Sequence, residues 1–208
     1  MSNQRIDYYS QKYKDNGTVM IPLDNETNPF KINDLSLLDN YCKDVKKEFI
    51  KIGDAGEANH LLVGRFMTDV DKPLIVENPY SKKLLNILSQ NTVTNIIKNI
   101  INVDDEIYYR RVQYNQINKN CFVGYHLDID SNPDYLAAAV IQLGNNFEGG
   151  LYRVYQKDKS FIDYKPKFGS LILSNCTYPH EVTKVLNGER KSLVFFISKD
   201  NGLNKRKI

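Results

Sequence analysis

The sequence predicts a mainly β protein with flanking helices, an α+β arrangement whose C-terminal half forms a sandwich or jelly roll. Three observations carry that expectation. Beyond Asp105 the apolar residues fall in short β-rich runs divided by turn residues, at 107–113, 136–143, 151–155, 161–164, 170–173 and 192–198. Before Asp105 the period is helical instead, with Leu38, Tyr41, Val45 and Phe49 three or four apart and with Leu84, Leu85 and Leu88, and Ile96, Ile97 and Ile100, making one side apolar. The 208 residues, 41% apolar and 25% charged, suit one compact globular unit with a sizeable core.

In chain order, residues 1–18 are polar and dotted with tyrosine, which predicts a loosely docked start. Residues 19–21 read as a short strand closed by Pro22. Residues 33–51 read as a helix capped by Asn33 or Asp34, with Lys43, Lys46, Lys47 and Glu48 on its outer face, and Gly53-Asp54-Ala55-Gly56 breaks it. A strand is expected over 61–67 and helices over 81–88 and 92–101, packed outside a sheet as support. Residues 115–120, rich in Asn, read as a polar loop. The expected organisation is an N-terminal strand and helices (1–104) supporting a core at 105–208, within one compact domain.

Composition excludes several classes. A net charge of +3 without a basic stripe gives no expectation of nucleic acid, and Lys205-Arg206-Lys207 reads as a solvated tail. No stretch approaches the ~18 apolar residues of a membrane helix, and the start has no apolar leader run. Cys42, Cys121 and Cys176 are an odd number without metal-ligand spacing, so a reducing, cytoplasmic setting is expected. No feature specifies an oligomeric state.

The chemistry gathers between Tyr125 and Phe196. In Tyr125-His126-Leu127-Asp128, positions two apart on an extended chain share a face, so an imidazole and a carboxylate can grip one cation. The chain has three histidines; His60 lies far upstream, which leaves His180 as the third ligand. Two imidazoles and a carboxylate with neighbouring positions open suit non-heme Fe(II). Arg190-Lys191-Ser192 begins an apolar strand ten residues after His180, and an inward guanidinium beside a hydroxyl is a clamp for a carboxylate.

With Glu148-Gly149-Gly150 between them, His126-x-Asp128, Pro179-His180-Glu181-Val182 and Gly188-Glu189-Arg190-Lys191-Ser192 resemble the Fe(II)/2-oxoglutarate-dependent dioxygenases, and within them the prolyl 4-hydroxylase-like group. The resemblance covers 108–198. It implies a double-stranded β-helix, or jelly roll, with His126, Asp128 and His180 as metal ligands. Arg190 and Ser192 would hold the distal carboxylate of the co-substrate 2-oxoglutarate, with O2 consumed, succinate and CO2 released and ascorbate as an accessory reductant. Asp128 also favours hydroxylation over halogenation, because halogenases leave that position open for halide.

Tyr114 stands where the family often places a co-substrate tyrosine, although Asn115-Gln116-Ile117-Asn118 follows where the family usually has a glycine. Gln142 is a polar side chain in an apolar strand, either a helper of Arg190 where the family often has tyrosine or a satisfied core amide. Gly149-Gly150 reads as a turn needing positive φ, with Glu148 a surface acid and Arg153 an outward charge. Tyr109, Arg111, Tyr125 and Asp130 are candidate substrate contacts by position. The resemblance points to a prolyl residue in a peptide or protein as substrate; a free amino acid or other small molecule, and a non-catalytic metal-binding module, stay open.

Overall fold

The structure, a computed structural model, describes residues 3–206; Met1, Ser2, Lys207 and Ile208, at the start and in the basic tail, lie outside the described residues. Helix α1 (Asn3–Asn16) leads into strand β1 (Thr18–Ile21), helix α2 (Ile32–Asp44), strands β2 (Lys47–Ile52), β3 (Ala58–Asp69) and β4 (Pro73–Ile75), and helices α3 (Ser81–Leu88) and α4 (Asn91–Ile101). The rest is β: β5 (Tyr108–Asn118), β6 (Val123–His126), a 3-10 turn (Asp128–Asp130), β7 (Ala137–Gln142), β8 (Phe147–Gly149), β9 (Tyr152–Tyr155), β10 (Phe161–Tyr164), β11 (Leu171–Asn175), β12 (His180–Val182) and β13 (Val185–Ser198).

The strands run in the order β1-β11-β7-β13-β5-β3-β6-β12-β9-β10, with β2 and β4 on β3 and β8 on β13. The sheet rolls on itself: β3 pairs with β5 from Leu62 to Met67, and its first residues reach β6 through Asn59 and Val123. This is the jelly-roll fold, β-rich and flanked by four helices. Strands β1 and β3 from the N-terminal half are thus members of the same sheet as the C-terminal strands.

Two apolar cores flank the larger part of the sheet. On one face, Ala137, Ala139, Ile141, Leu193, Phe195 and Ile197 meet the helices through Leu35, Leu38, Leu84, Leu88, Ile96 and Ile97. On the other, Ala138, Val140, Val194 and Phe196 face Tyr152, Val154 and Val182 across the roll. Period-2 alternation explains why β7 and β13 are apolar at nearly every position: both faces are covered.

Three expectations are corrected. Residues 1–18 include a docked helix, because Ile6, Tyr9 and Tyr13 form a stripe that packs into the helix-side core. Burying such side chains stabilises by roughly 1.5–3 kcal/mol each, which outweighs the polar composition of the rest. The helix over 33–51 ends at Asp44: Val45 is extended (φ −68°, ψ 140°) and 47–52 becomes a strand paired with β3. Phe49, read as part of a helical stripe, is half exposed and packs its ring near His60, 5.9 Å away. The loop over 115–120 is strand as far as Asn118, since β5 is paired on both sides, with β13 and with β3. The Gly149-Gly150 turn takes φ of 69° and 56°, with Glu148 exposed. Among the described residues no helix is long and apolar enough to cross a membrane.

Candidate metal centre and anion pocket

His126 ends β6 and His180 begins β12; the two are cross-strand partners, with ring centroids 4.3 Å apart. Leu127 is extended (φ −113°, ψ 129°), which returns Asp128 to the side of His126 before the chain enters the 3-10 turn. The three side chains therefore meet: His126 Nε2 is 3.3 Å from Asp128 Oδ1, and His180 Nε2 is 3.5 Å from Asp128 Oδ2. One donor atom from each lies within 4.8 Å of the others. Atoms sharing one face of an octahedron, each about 2.1 Å from a metal, stand ~3 Å apart, so the set fits a divalent cation.

Backbone carbonyls orient both rings. Nδ1 of His126 is 2.8 Å from the Gly124 carbonyl and Nδ1 of His180 is 3.1 Å from that of Tyr178. With Nδ1–H donating in each case, Nε2 is the ring atom left for a metal, the tautomer a metal ligand needs. Burial pushes the His126 imidazole down, but Asp128, with Glu57 further off, raises it to about 9. His180 is held below its ordinary value by burial, against the pull of Asp128. Burial would raise the Asp128 carboxyl, yet His180, then His126 and Arg111, bring it below the usual carboxylate range. The site is built for positive charge.

Beside it, in the same cavity of about 120 Å³, stand Tyr152, Arg190 and Ser192. Arg190 Nε and Nη2, Ser192 Oγ, the Tyr152 hydroxyl and Gln142 Oε1 are all buried without a hydrogen-bond partner among the described residues. Burial lowers the Arg190 guanidinium to about 10, the sign of a cation enclosed without a counter-charge. Leaving a buried donor unmet costs about 1–3 kcal/mol, and more when it is charged. Such a cluster marks a place for an anionic ligand rich in acceptors. Ser192 is the register partner of Gln142, whose Nε2 donates to the Gly144 carbonyl at 3.0 Å and so aims Oε1 without satisfying it.

The other sequence candidates divide. Tyr114 is a correction: it is 1% exposed in the helix-side core and absent from the cavity wall, because its strand neighbours Gln113 and Asn115 take the inward face. Tyr109 is another. A β-bulge at Arg110 opposite Phe196 and Ile197 turns it to the helix side, where its hydroxyl donates to the Leu88 carbonyl at 2.8 Å. Arg111 does line the cavity. Tyr125 is 57% exposed and packs on Tyr155, while Asp130 faces a separate shallow depression with Arg206. Arg153 points outward to Asp163 at 2.7 Å.

Tyr152 is the residue that sequence reasoning missed. Its ring stacks on His180 at 5.2 Å and its hydroxyl joins the unpartnered cluster. The signal was present: if Arg153 and Tyr155 point outward, Tyr152 and Val154 point in.

A rolled sheet carrying two imidazoles and a carboxylate at the end of β6 and start of β12, with an enclosed cationic clamp beside them, defines the class of mononuclear metal enzymes that take a small anionic co-substrate. Comparison with known proteins agrees. Residues 112–198 match the 2OG-Fe(II) oxygenase superfamily. A Burkholderia pseudomallei oxidoreductase of the 2OG-Fe(II) oxygenase family is 32% identical over 98% of this chain and 94% of its own, with a TM-score of 0.88. At the level of fold, a Pseudomonas putida prolyl-4-hydroxylase is similar (15% identity, 94% and 99% of the two chains, TM-score 0.65). So is SnoN, a non-heme alpha-ketoglutarate-dependent epimerase from nogalamycin biosynthesis (6% identity, 95% and 82%, TM-score 0.71). No curated protein matches the chain. The chain belongs to the 2OG-Fe(II) oxygenase superfamily, whose members work with Fe(II), 2-oxoglutarate and O2.

Proposed function

We propose that this protein is an Fe(II)- and 2-oxoglutarate-dependent hydroxylase acting on a prolyl residue of a peptide or protein. The observation that carries the reading is the pairing, in one cavity, of a convergent His126-Asp128-His180 set with unpartnered Arg190, Ser192 and Tyr152. Family membership supports the oxygenase part, and the resemblance of the motifs to prolyl 4-hydroxylases supports the prolyl part.

Each residue has a task. Asp128 and the Nε2 atoms of His126 and His180 would hold the Fe(II). Arg190 meets the distal carboxylate of 2-oxoglutarate with Nε and Nη2, while Ser192 and Tyr152 donate hydroxyl hydrogens to it. That exchange satisfies the buried donors and supplies the missing counter-charge. Gln142, the register partner of Ser192, stands beside that hydroxyl. Val140, Val182 and Val194 wall the cavity and exclude water. When bound, the iron and co-substrate supply the oxidising chemistry: O2 and 2-oxoglutarate are consumed, CO2 and succinate leave, and one oxygen atom enters a substrate C–H bond. Ascorbate serves as the accessory reductant. The helices before residue 104 support the core, β1 and β3 complete its sheet, and the three unpaired thiols suit a reducing compartment such as the cytoplasm.

The test is succinate formation with Fe(II), 2-oxoglutarate and O2, for the native protein and for His126→Ala, with proline-containing peptides and free amino acids as substrates. Metal-dependent succinate that His126→Ala removes, and a one-oxygen gain on Pro by mass spectrometry, are expected. Succinate driven by free amino acids but by no peptide would sink the prolyl-peptide reading, and no succinate under any condition would sink the hydroxylase.

A further inference from the structure

The cavity holds a second buried arginine, and its setting differs from that of Arg190. Arg111 is 7% exposed and lines the wall with His126 and Asp128. Its guanidinium carbon lies 5.2 Å from the Phe196 ring and 5.8 Å from that of Tyr135, so aromatic faces fix the plane of the fork. Its ionic partner is Asp54 Oδ2, at 2.9 Å. Asp54 is part of no regular strand; it sits on the Gly53–Gly56 turn between β2 and β3, with a side chain 42% exposed, and Arg206 also approaches it.

Charge makes the arrangement informative. With Fe(II) bound and 2-oxoglutarate as a dianion, the charges of Asp128 and Arg190 cancel theirs, and Arg111 is left as a cation beside the reaction space. Its counter-ion comes from a surface turn. A guanidinium needed only to tie down a turn has no need of a place in the wall beside His126 and Asp128. Arg111 instead presents a rigid, bidentate-capable fork to the cavity that His126 and Asp128 also line.

We propose that Arg111 is the anion site for the substrate: its guanidinium takes a carboxylate carried by the substrate, and Asp54 holds that place until the substrate displaces it. The inference rests on the hydroxylase reading and narrows it to substrates bearing a carboxylate near the reacting carbon. That group is either the α-carboxylate of a free amino acid or an acidic side chain beside the target residue of a peptide.

The first experiment needs no natural substrate. In protein loaded with Zn(II) and 2-oxoglutarate, so that the metal site and the Arg190 clamp are filled, acetate binding is titrated by NMR, with acetamide as the neutral control. Removing the resident carboxylate in Asp54→Asn should tighten acetate binding about ten-fold. Adding Arg111→Gln should abolish that gain, Arg111→Lys should keep part of it, and acetamide should show no change. Equal acetate affinity in native protein and Asp54→Asn, or a gain that survives Arg111→Gln, overturns the proposal. Thermal melts confirm that each variant folds.

A second experiment separates the sources of the carboxylate. Succinate formation by the iron-loaded native protein is compared for L-proline against L-prolinamide, and for a Pro-Glu pentapeptide against its Pro-Gln counterpart. Preference for the acid of about ten-fold in one pair identifies the source, and equal use of acid and amide overturns the proposal. Equilibrium dialysis of 2-oxoglutarate keeps the readings apart: failure to bind it sinks the hydroxylase, whereas normal binding with no acetate effect sinks only the role of Arg111.

Discussion

Arg110 and Arg190 are both fully enclosed, one near each end of the β5–β13 ribbon, and they live in opposite conditions. Arg110 is saturated: Nε and Nη2 donate to Asp69 at 3.0 and 2.9 Å, and Nη1 and Nη2 donate to the carbonyls of Asp200 and Gly202 at 2.7 and 3.0 Å. Asp69 in turn accepts from Asn132 and the Tyr135 hydroxyl, both at 2.9 Å, and its backbone carbonyl accepts from Asn204 at 2.8 Å. Burial pushes the Arg110 guanidinium down and its bond to Asp69 more than restores it. At Arg190 burial acts with no such compensation. The difference separates a charge buried with its counter-charge, which holds a fold, from one buried without it, which we propose takes the co-substrate carboxylate. The saturated network pins the C-terminal segment and the Asn132 end of the turn that carries Asp128; the unsaturated one lines the cavity beside His126, Asp128 and His180.

The largest expected effect breaks the saturated side. Asp69→Ala leaves Arg110 buried and unpaired, and should cost about 3–5 kcal/mol in chemical denaturation. The pH dependence follows the same carboxylate. Burial raises the Asp69 carboxyl, but its bonds to Arg110, Asn132 and Tyr135 bring it below the ordinary range. Its contribution is therefore fully present above the ordinary carboxylate value and is lost as pH falls through the depressed one. Asp69→Asn should flatten the acid limb of the stability curve, and an unchanged limb would show that other groups govern it.

Next comes the unsaturated side, where the sign reverses. Arg190→Met removes an uncompensated buried charge, so the ligand-free protein should gain about 1–4 kcal/mol. In native protein, Mn(II) with 2-oxoglutarate at a hundred times its Kd should add about 2.7 kcal/mol of stability, and Arg190→Met should lose that increment. A destabilised Arg190→Met would erase the contrast between the two arginines. The smallest effect is expected for Arg153→Ala on the outer face, since pairs of partly exposed charges contribute ~0–1 kcal/mol and this one touches no part of the cavity. A loss of 2-oxoglutarate binding there would mean that the outer face of β9 is coupled to the pocket.

Legibility in the sequence followed the strength of local signals. The strands 137–142 and 161–164 and the helices 81–88 and 91–101 lie where the apolar pattern puts them, because both sides of each prediction, period and turn residues, agree, whereas the strand expected over 192–198 begins at Val185, its polar first half held by pairing with β5 and β8. Residues 47–52 did not follow the pattern, because Lys47–Ile52 becomes strand by pairing with β3, a partner the local window does not contain. Tyr114 and Tyr109 were misplaced for a related reason. Which face a strand residue takes depends on register, and the bulge at Arg110 reverses the alternation for Tyr109 and leaves no mark in the sequence.

By itself, the sequence determined the chemistry on offer: a His-x-Asp pair, one further downstream histidine and an Arg-x-Ser ahead of an apolar run, residue types whose charge and donor geometry are properties of single side chains. Only the tertiary structure decided which of these meet, that Tyr152 joins them while Tyr114 turns away, and that Arg110 is satisfied while Arg190 is not. Convergence and satisfaction are relations between residues far apart in the chain, set by register and by the closing of the roll, and a local sequence pattern carries no distance.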